Sequence, residues 1–427
     1  MLTPETAQQR ASDLVAQAIR AGADAGDVAY IASSDESIQV RLGKLEDVER
    51  SEGEHISLRV FIGSRSASIG SSDLTDEALN ELAARAVDMA RAAPEDDYAG
   101  LAPQDRLASG PFPDLDLFDP AEPKPEDLRA AAQEAEDSAR AIAGITNSEG
   151  GTASAGEGTL ALATSHGFTG TYATTSHSVS ASVVAGQGSS MQRDYAWRQA
   201  RYGSDLISPQ EIGELAAKRA LGRLDPGHLK SGQMPVVFDP RVGGTLIGHL
   251  VSAMSGPSIA RRSSFLLDRL DDVLFDSAIV ISEDPHRARG LRSRPFDGEG
   301  LPTTARDLVK DGRVTGWLVE SASARQLGLS PTGHASRGHG GAPGVSVGNI
   351  HLAAGPDSPE HLMSDIIEGV YITELIGQGV NGVTGDYSRG ASGFRIVNGE
   401  IAGPSPFDRS MTSRSPGRSR NSLSPET

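Results

Sequence analysis

Glycine at 377, 379, 382, 385, 390 and 393 sets the strongest constraint on how this chain can fold. The segment GQGVNGVTGDYSRGASGFRIVNGE, residues 377–400, follows an apolar run at 371–376 that reads as a strand. Glycine loses the most backbone entropy on folding, so such density marks positive φ angles or close backbone approach. The spacing leaves no room for a regular helix and predicts no long strand. Asp386, Tyr387, Ser388 and Arg389 sit within this frame as a polar tetrad. They are candidate peptide- or partner-facing groups on a loop; the competing reading is a run of turns between strands.

Two generic motifs nearby fail on context. Gly377, Gly379 and Gly382 fit G-x-G-x-x-G, but a dinucleotide site needs a helix opening at the third glycine, and residues 383–393 carry no helical period. Gly344-Val345-Ser346-Val347-Gly348 fits G-x-S-x-G, which must lie between a strand and a helix. A glycine-rich loop precedes it and Asn349 to Leu352 looks extended. A serine hydrolase using Ser346 is kept as a minor alternative.

Helix starts are legible at Thr3-Pro4, Ser71-Ser72-Asp73 (leading to a helix from Thr75 to about Ala93), Pro125, Ser208-Pro209, Pro240 and Ser358-Pro359, the last running to about Gly369. Residues 263–274 also read as helical. Strands are expected at 28–31, 37–42, 56–62, 159–184 with a turn at Gly167, 234–238 and 278–282, with a charged connection over 43–50. Asp311-Gly312 and Asn398-Gly399 are hairpin signals. The fold class is α+β, with mixed, largely antiparallel sheets flanked by helices. Three regions follow: an N-terminal α+β domain over 1–225 (1–93, a linker 94–124 and a central part 125–225), a C-terminal α+β domain over 232–403, and a tail over 404–427 expected to be disordered.

The net charge of −18 argues against a direct nucleic-acid partner, which would need a basic footprint. No apolar run is long enough for a membrane helix. The N-terminus lacks a signal-peptide pattern, so a cytoplasmic location is expected. With no cysteine there is no thiolate ligand or thiol nucleophile. Among possible metal donors, His334, His339 and His351, and the Glu283-Asp284-His286 cluster, lack a recognised ligand spacing and read as solvated loop residues. Arg287, Arg289, Arg292 and Arg294 form a basic run, of which Arg292 and Arg294 are candidates for meeting a peptide carboxylate or an acidic partner; pairing with internal acids is the equal alternative.

Long stretches at 40–53 (VRLGKLEDVERSEG), 71–74 (SSDL) and 294–303 (RPFDGEGLPT), with the opening segment, resemble the PmbA/TldD family in its PmbA (TldE) branch, from near residue 10 to about 403. The resemblance implies a two-domain PmbA/TldD-like fold and a cytoplasmic two-subunit zinc metalloprotease acting on unfolded peptides. An older family name is modulator of DNA gyrase. In the family the TldD subunit holds zinc through an H-E-x-x-x-H helix and a later cysteine. Here the corresponding stretch is Gly244-Thr245-Leu246-Ile247-Gly248-His249, in which only His249 survives. Catalytic zinc needs about three protein ligands and a base. The expectation is a non-catalytic subunit with no cofactor of its own, His249 being vestigial and zinc belonging to a TldD-type partner. That partner would form a heterodimer with it; a stand-alone homodimeric peptide- or protein-binding module is the alternative. Family members continue past the Asn398-Gly399 hairpin with further apolar strands. This sequence turns serine- and arginine-rich after about Gly403, which reads as a truncated or frame-shifted end with a bare sheet edge.

Overall fold

Thr3 accepts a hydrogen bond from the Thr6 amide with Pro4 at the first turn, which starts helix α1 (Pro4–Arg20). Thr75 caps helix α2 (Asp76–Ala92) in the same way. Both present alanine-rich stripes to a six-stranded sheet. Ala7, Ala11, Ala18, Ala83, Ala86 and Ala90 are fully or almost fully buried there, against Val28, Tyr30, Ile56 and Leu58. Small side chains let a helix approach a sheet closely, so the layer closes without voids.

In this computed structural model, residues 1–227, 229, 232–405 and 410–413 are described. The sheet contains β1 (Ala25–Arg41), β2 (Lys44–Ile62), β3 (Arg65–Ser71), β4 (Ile145–Thr164), β5 (Thr169–Ala185) and β6 (Gln192–Ala200). Their order is β3-β2-β1-β4-β5-β6, and every neighbouring pair is antiparallel. Residues 43–50, expected as a charged connection, instead belong mostly to β2. The turn is Leu42 and Gly43, both with positive φ, as a two-residue hairpin requires. The Glu136 carboxylate, on helix α3 (Pro125–Arg140), accepts from the Leu42 and Gly43 amides at 2.7 and 2.9 Å. β6, which the sequence reading missed, completes the sheet before helix α4 (Pro209–Gly222).

The described residues divide into two compact units. The first comprises Met1–Leu221, Glu283–Arg306 and Leu318–Ile350; the second comprises the described residues of Gly222–Ser282, Asp307–Trp317 and those from His351 onward. Residues 283–306 and 318–350, within the stretch 232–403 read as the C-terminal domain, pack with the first unit. There Phe296 meets Phe112, Phe168 and Tyr172 at ring separations of 5.0, 5.0 and 5.5 Å. This cluster buries the sheet face that carries Ala29 and Leu162.

In the second unit β7 (Val236–Phe238) runs parallel to the strand Glu368–Ile376, which pairs antiparallel with Tyr387–Val397. An eleven-residue strand therefore occupies much of the glycine segment, against expectation. Glycine is needed there for close approach: a Cβ at Gly393 would lie 1.9 Å from the Tyr371 carbonyl oxygen. Glu400–Ser405 and Ser410–Ser413 pair along the same strand, and Glu400–Ser405 stands at the edge of the sheet. The 410–413 segment thus corrects the expectation of a wholly disordered tail; residues 406–409 and 414–427 lie outside the described residues. Helix α5 (Pro240–Ala253) begins at Asp239, which accepts from the Arg241 amide, and helix α6 (Gly256–Ala260) follows. Residues 263–274 form turns rather than the expected helix, since the Ser264 hydroxyl binds Ala253 O and accepts from Leu266 N, local bonds that compete with helical ones. The helix expected from 358 to about 369 ends at Met363, because Glu368 already enters the sheet. The hairpins at Asp311-Gly312 and Asn398-Gly399 form with positive φ at all four residues.

The architecture is α+β, as expected. No helix among the described residues is long and apolar enough to cross a membrane.

Candidate functional site

Val242 on α5 packs against Val370 and Ile372 of the strand Glu368–Ile376, and this seats the helix on the sheet. Its other side carries His249 toward Tyr387, with ring centres 6.1 Å apart and nearly edge-to-face. A pocket of about 240 Å³ opens beside them, lined by His249, Ser252, Ser263, Gln378 and Arg389 among others. Strand periodicity sorts the tetrad. Tyr387 and Arg389 face the His249 side, Tyr387 buried and Arg389 half-buried, while Asp386 and Ser388 are exposed. Asp386 accepts from the Thr384 hydroxyl, and Arg389 Nε donates to the Ile376 carbonyl. So three of the four residues expected on a loop begin a strand.

The His249 Nε2 and Tyr387 hydroxyl are enclosed without a hydrogen-bond partner in the protein. Burial, and then the Arg389 charge, push the His249 imidazolium pKa below its ordinary value, so the ring is neutral at neutral pH. Burial raises the Tyr387 phenol, against a smaller opposing effect of Arg389.

In the first unit, Arg294 donates from both Nη atoms to Ser346, at 2.8 Å to Oγ and 2.7 Å to the carbonyl. Arg292 extends to solvent, its backbone amide donating to Asn349 Oδ1. The serine-hydrolase alternative fails on this geometry. The Ser346 hydroxyl faces a guanidinium, which cannot take its proton, and the next element is the strand Asn349–Leu352, not a helix. Other histidines scatter. His334 pairs with Glu283 at 2.7 Å, both buried; His286 binds the Thr303 hydroxyl; His339 meets His55 edge-to-face. Burial alone would raise the Glu283 carboxyl, but His334 and the Gly348 amide outweigh it and hold it low.

The largest feature missed by sequence reasoning is a buried charge network in the first unit. Asp27 pairs with Arg59 and, at 2.9 Å, with Arg337; Arg59 reaches Glu299 at 3.7 Å. Burial pushes Asp27 up, but Arg337 and Arg59 hold it below its ordinary value. Asp297 accepts from three backbone amides, those of Glu299, Leu301 and Ala335. Its pKa is nevertheless pushed up to about 7, by burial and then by Glu299. The one available signal was the charged 294–303 stretch, RPFDGEGLPT, whose glycines are needed for close packing against Phe168 and Arg337.

Comparison with known proteins assigns the lineage. The PmbA/TldA metallopeptidase domain 1 model matches residues 26–90, the central domain residues 118–224 and the C-terminal domain residues 231–406. The chain belongs to the PmbA/TldD family. It is 41% identical over 382 residues to the metalloprotease PmbA of Escherichia coli O157:H7, covering 89% of this chain and 83% of that relative. A PmbA homolog of Haemophilus influenzae is 36% identical over 405 residues, 93% of this chain and 86% of the relative. The TldD homolog of the same organism is only 24% identical over 237 residues, 53% of this chain and 49% of the relative, which places the chain on the PmbA branch. The fold is similar to that of a proposed modulator of DNA gyrase from Bacteroides thetaiotaomicron, with a TM-score of 0.88 at 26% identity over 97% of this chain and 92% of that one. TldE from Thermococcus kodakarensis shares the fold at 20% identity, with a TM-score of 0.83 over 94% and 90%.

The α5 pocket does not fit the family's zinc. Around His249 stand hydroxyls, an amide and the Arg389 cation, a set that offers one imidazole and opposes a dication. Among the described residues no group of three His, Cys, Asp or Glu side chains gathers to hold a metal ion.

Proposed function

We propose that this chain is a PmbA-type subunit of a cytoplasmic PmbA/TldD metalloprotease. It would help hold unfolded peptides, while hydrolysis occurs at zinc carried by a TldD-type partner in a heterodimer. The observation that carries this reading is the α5 pocket, where a neutral His249 faces Tyr387 and Arg389 on the stretch that the sequence resemblance matches to the family's zinc helix. Among the described residues no cluster of metal donors gathers, so this reading assigns the activated water and its base to the partner. What the pocket offers instead is hydrogen bonding, through Arg389, the Tyr387 hydroxyl and His249 Nε2. A peptide taken up as an added strand is held mainly through its backbone, which suits acceptance of many sequences. Asp386, Ser388, Arg292 and Arg294 are further contact groups in this reading. The absence of cysteine agrees with a reducing compartment but does not require one.

The test is cleavage of an unstructured peptide by this chain alone, by a TldD-type partner alone, and by the two together, each with and without a chelator. Efficient cleavage by the pair alone, abolished by chelator, is expected. Chelator-sensitive cleavage by this chain alone, with stoichiometric zinc in the purified protein, would overturn the proposal.

A further inference from the structure

We propose that a second cleft, in the first unit, receives a carboxylate of a peptide, and specifically the carboxylate at the peptide's C-terminal end. The cleft has a volume of about 320 Å³ and is bounded by Ile31, Leu160 and Tyr172 on the sheet and by Arg292, Arg294 and Ser346 opposite. The proposal rests on the peptide-holding role above and adds to it a recognised group.

Three guanidiniums meet at this cleft. Arg201 donates to the carbonyls of Thr175, Gly290 and Leu291, at 2.9, 3.4 and 2.6 Å, and so ties the 290–291 segment to β5. Those acceptors are neutral and leave its charge unbalanced. Arg294 is fixed by Ser346, and its Nε is enclosed with no partner. Arg292 is exposed, with no ion pair. Among the described residues none of the three pairs with a carboxylate. Glu283 lies near enough to feel the Arg294 charge, but its own oxygens are taken by His334 and the Gly348 amide. In a chain with 57 acidic and 39 basic residues, acids are plentiful, so a cleft whose three guanidiniums make no ion pair among the described residues is not a consequence of composition. Partly buried cations without anions are costly, and an anionic occupant relieves that cost.

The shape narrows the anion. Guanidinium donors favour a planar, two-oxygen acceptor. The apolar wall of Ile31 and Leu160 suits a hydrocarbon side chain next to that acceptor. A cavity of this volume admits one or two residues and not a folded acidic surface. A chain end with an apolar last residue satisfies all three conditions. An internal Glu or Asp side chain is the other source of the same chemistry.

The experiment uses the intact chain and fluorescence anisotropy of three peptides of one parent sequence, each with its N-terminal amine capped by the fluorophore. One ends in Val-Leu with a free carboxylate, one in Val-Leu-amide, and one is the amide with an internal Glu. The free acid is expected to bind about tenfold or more tightly than the plain amide, as loss of a charge-assisted hydrogen bond implies. Arg292→Ala, an exposed change, is expected to remove most of that difference, and Arg294→Lys to reduce it while retaining the packed stem. Equal affinity for acid and amide overturns the proposal, as does a difference that survives Arg292→Ala with unchanged circular dichroism. Tight binding of the internal-Glu amide equal to that of the free acid overturns the assignment to the chain end. Partner-dependent cleavage with no carboxylate preference sinks this site alone. A carboxylate preference without partner-dependent cleavage sinks the subunit reading and leaves the site standing.

Discussion

Asp297 shows how a single side chain sets a pH dependence. Three backbone amides stabilise its charged form, yet burial and the adjacent Glu299 outweigh them and push its pKa up to about 7, from 3.8. The folded state therefore holds a proton that the unfolded state releases. The resulting contribution to stability is full below about pH 4 and is lost as pH rises through about 7, at a cost on the order of a few kcal/mol. Glu299 is raised for the same leading reason, burial, and acts in the same direction. The urea midpoint is expected to fall across that window, and Asp297→Asn to flatten the fall. An unchanged slope in the variant would show that the titration lies elsewhere. Gly393 sets a steric limit of a different kind. A Cβ there meets the Tyr371 carbonyl at 1.9 Å, whereas one at Gly390 meets nothing closer than 3.5 Å. Gly393→Ala is expected to cost about 1–3 kcal/mol by forcing the strands apart, with Gly390→Ala much milder. Thermal unfolding of the two variants side by side checks this, and equal shifts would contradict it.

Elements were legible where their signals are local. Thr3 and Asp239 with their neighbouring prolines, and Thr75 after Ser71-Ser72-Asp73, mark helix starts, and Asn398-Gly399 and Asp311-Gly312 mark turns, because capping and positive φ depend on a few adjacent residues. The β1–β2 hairpin was not legible along its full length. Residues 44–53 of β2 are exposed, so they lack the alternation that identifies a half-buried strand, and their strand character comes from pairing with β1. The site was legible only in part. His249 was found through the family pattern, but its meeting with Tyr387 depends on pairing between distant strands, and the Glu283–His334 contact joins residues far apart in sequence. Glu136 shows the same long-range dependence in an element that can be tested. Its carboxylate on α3 holds the β1–β2 turn through two amides. Glu136→Ala leaves both donors without that acceptor and is expected to cost about 1–3 kcal/mol, with Glu136→Gln retaining part of the loss-free geometry. Chemical denaturation quantifies the series, and hydrogen exchange at Leu42 and Gly43 localises it. Unaltered exchange at those amides in the Ala variant would show that the cap does not hold the turn.

Across the whole chain, net charge and local charge have opposite signs. The sequence carries −18, while the cleft between Arg292, Arg294 and Arg201 is cationic. Over distances beyond about 10 Å at 0.1 M salt, fields from exposed charges are screened, so the two effects act at different ranges. For the proposed peptide ligand, approach would be governed by the overall negative field and final seating by the local guanidiniums. A peptide with several lysines and a free C-terminal carboxylate therefore satisfies both, whereas a strongly acidic peptide meets repulsion before it reaches the cleft. Stopped-flow association of a cationic and an anionic peptide that share the same last two residues separates these contributions. The cationic peptide is expected to associate faster at low salt, and the two on-rates to converge toward about 0.5 M salt, where the screening length falls to a few Å. The dissociation rates, set by contacts within the cleft, are expected to differ much less between the two peptides. Equal on-rates at low salt would mean that the overall charge does not steer the encounter, and a difference confined to dissociation would place the discrimination within the cleft itself.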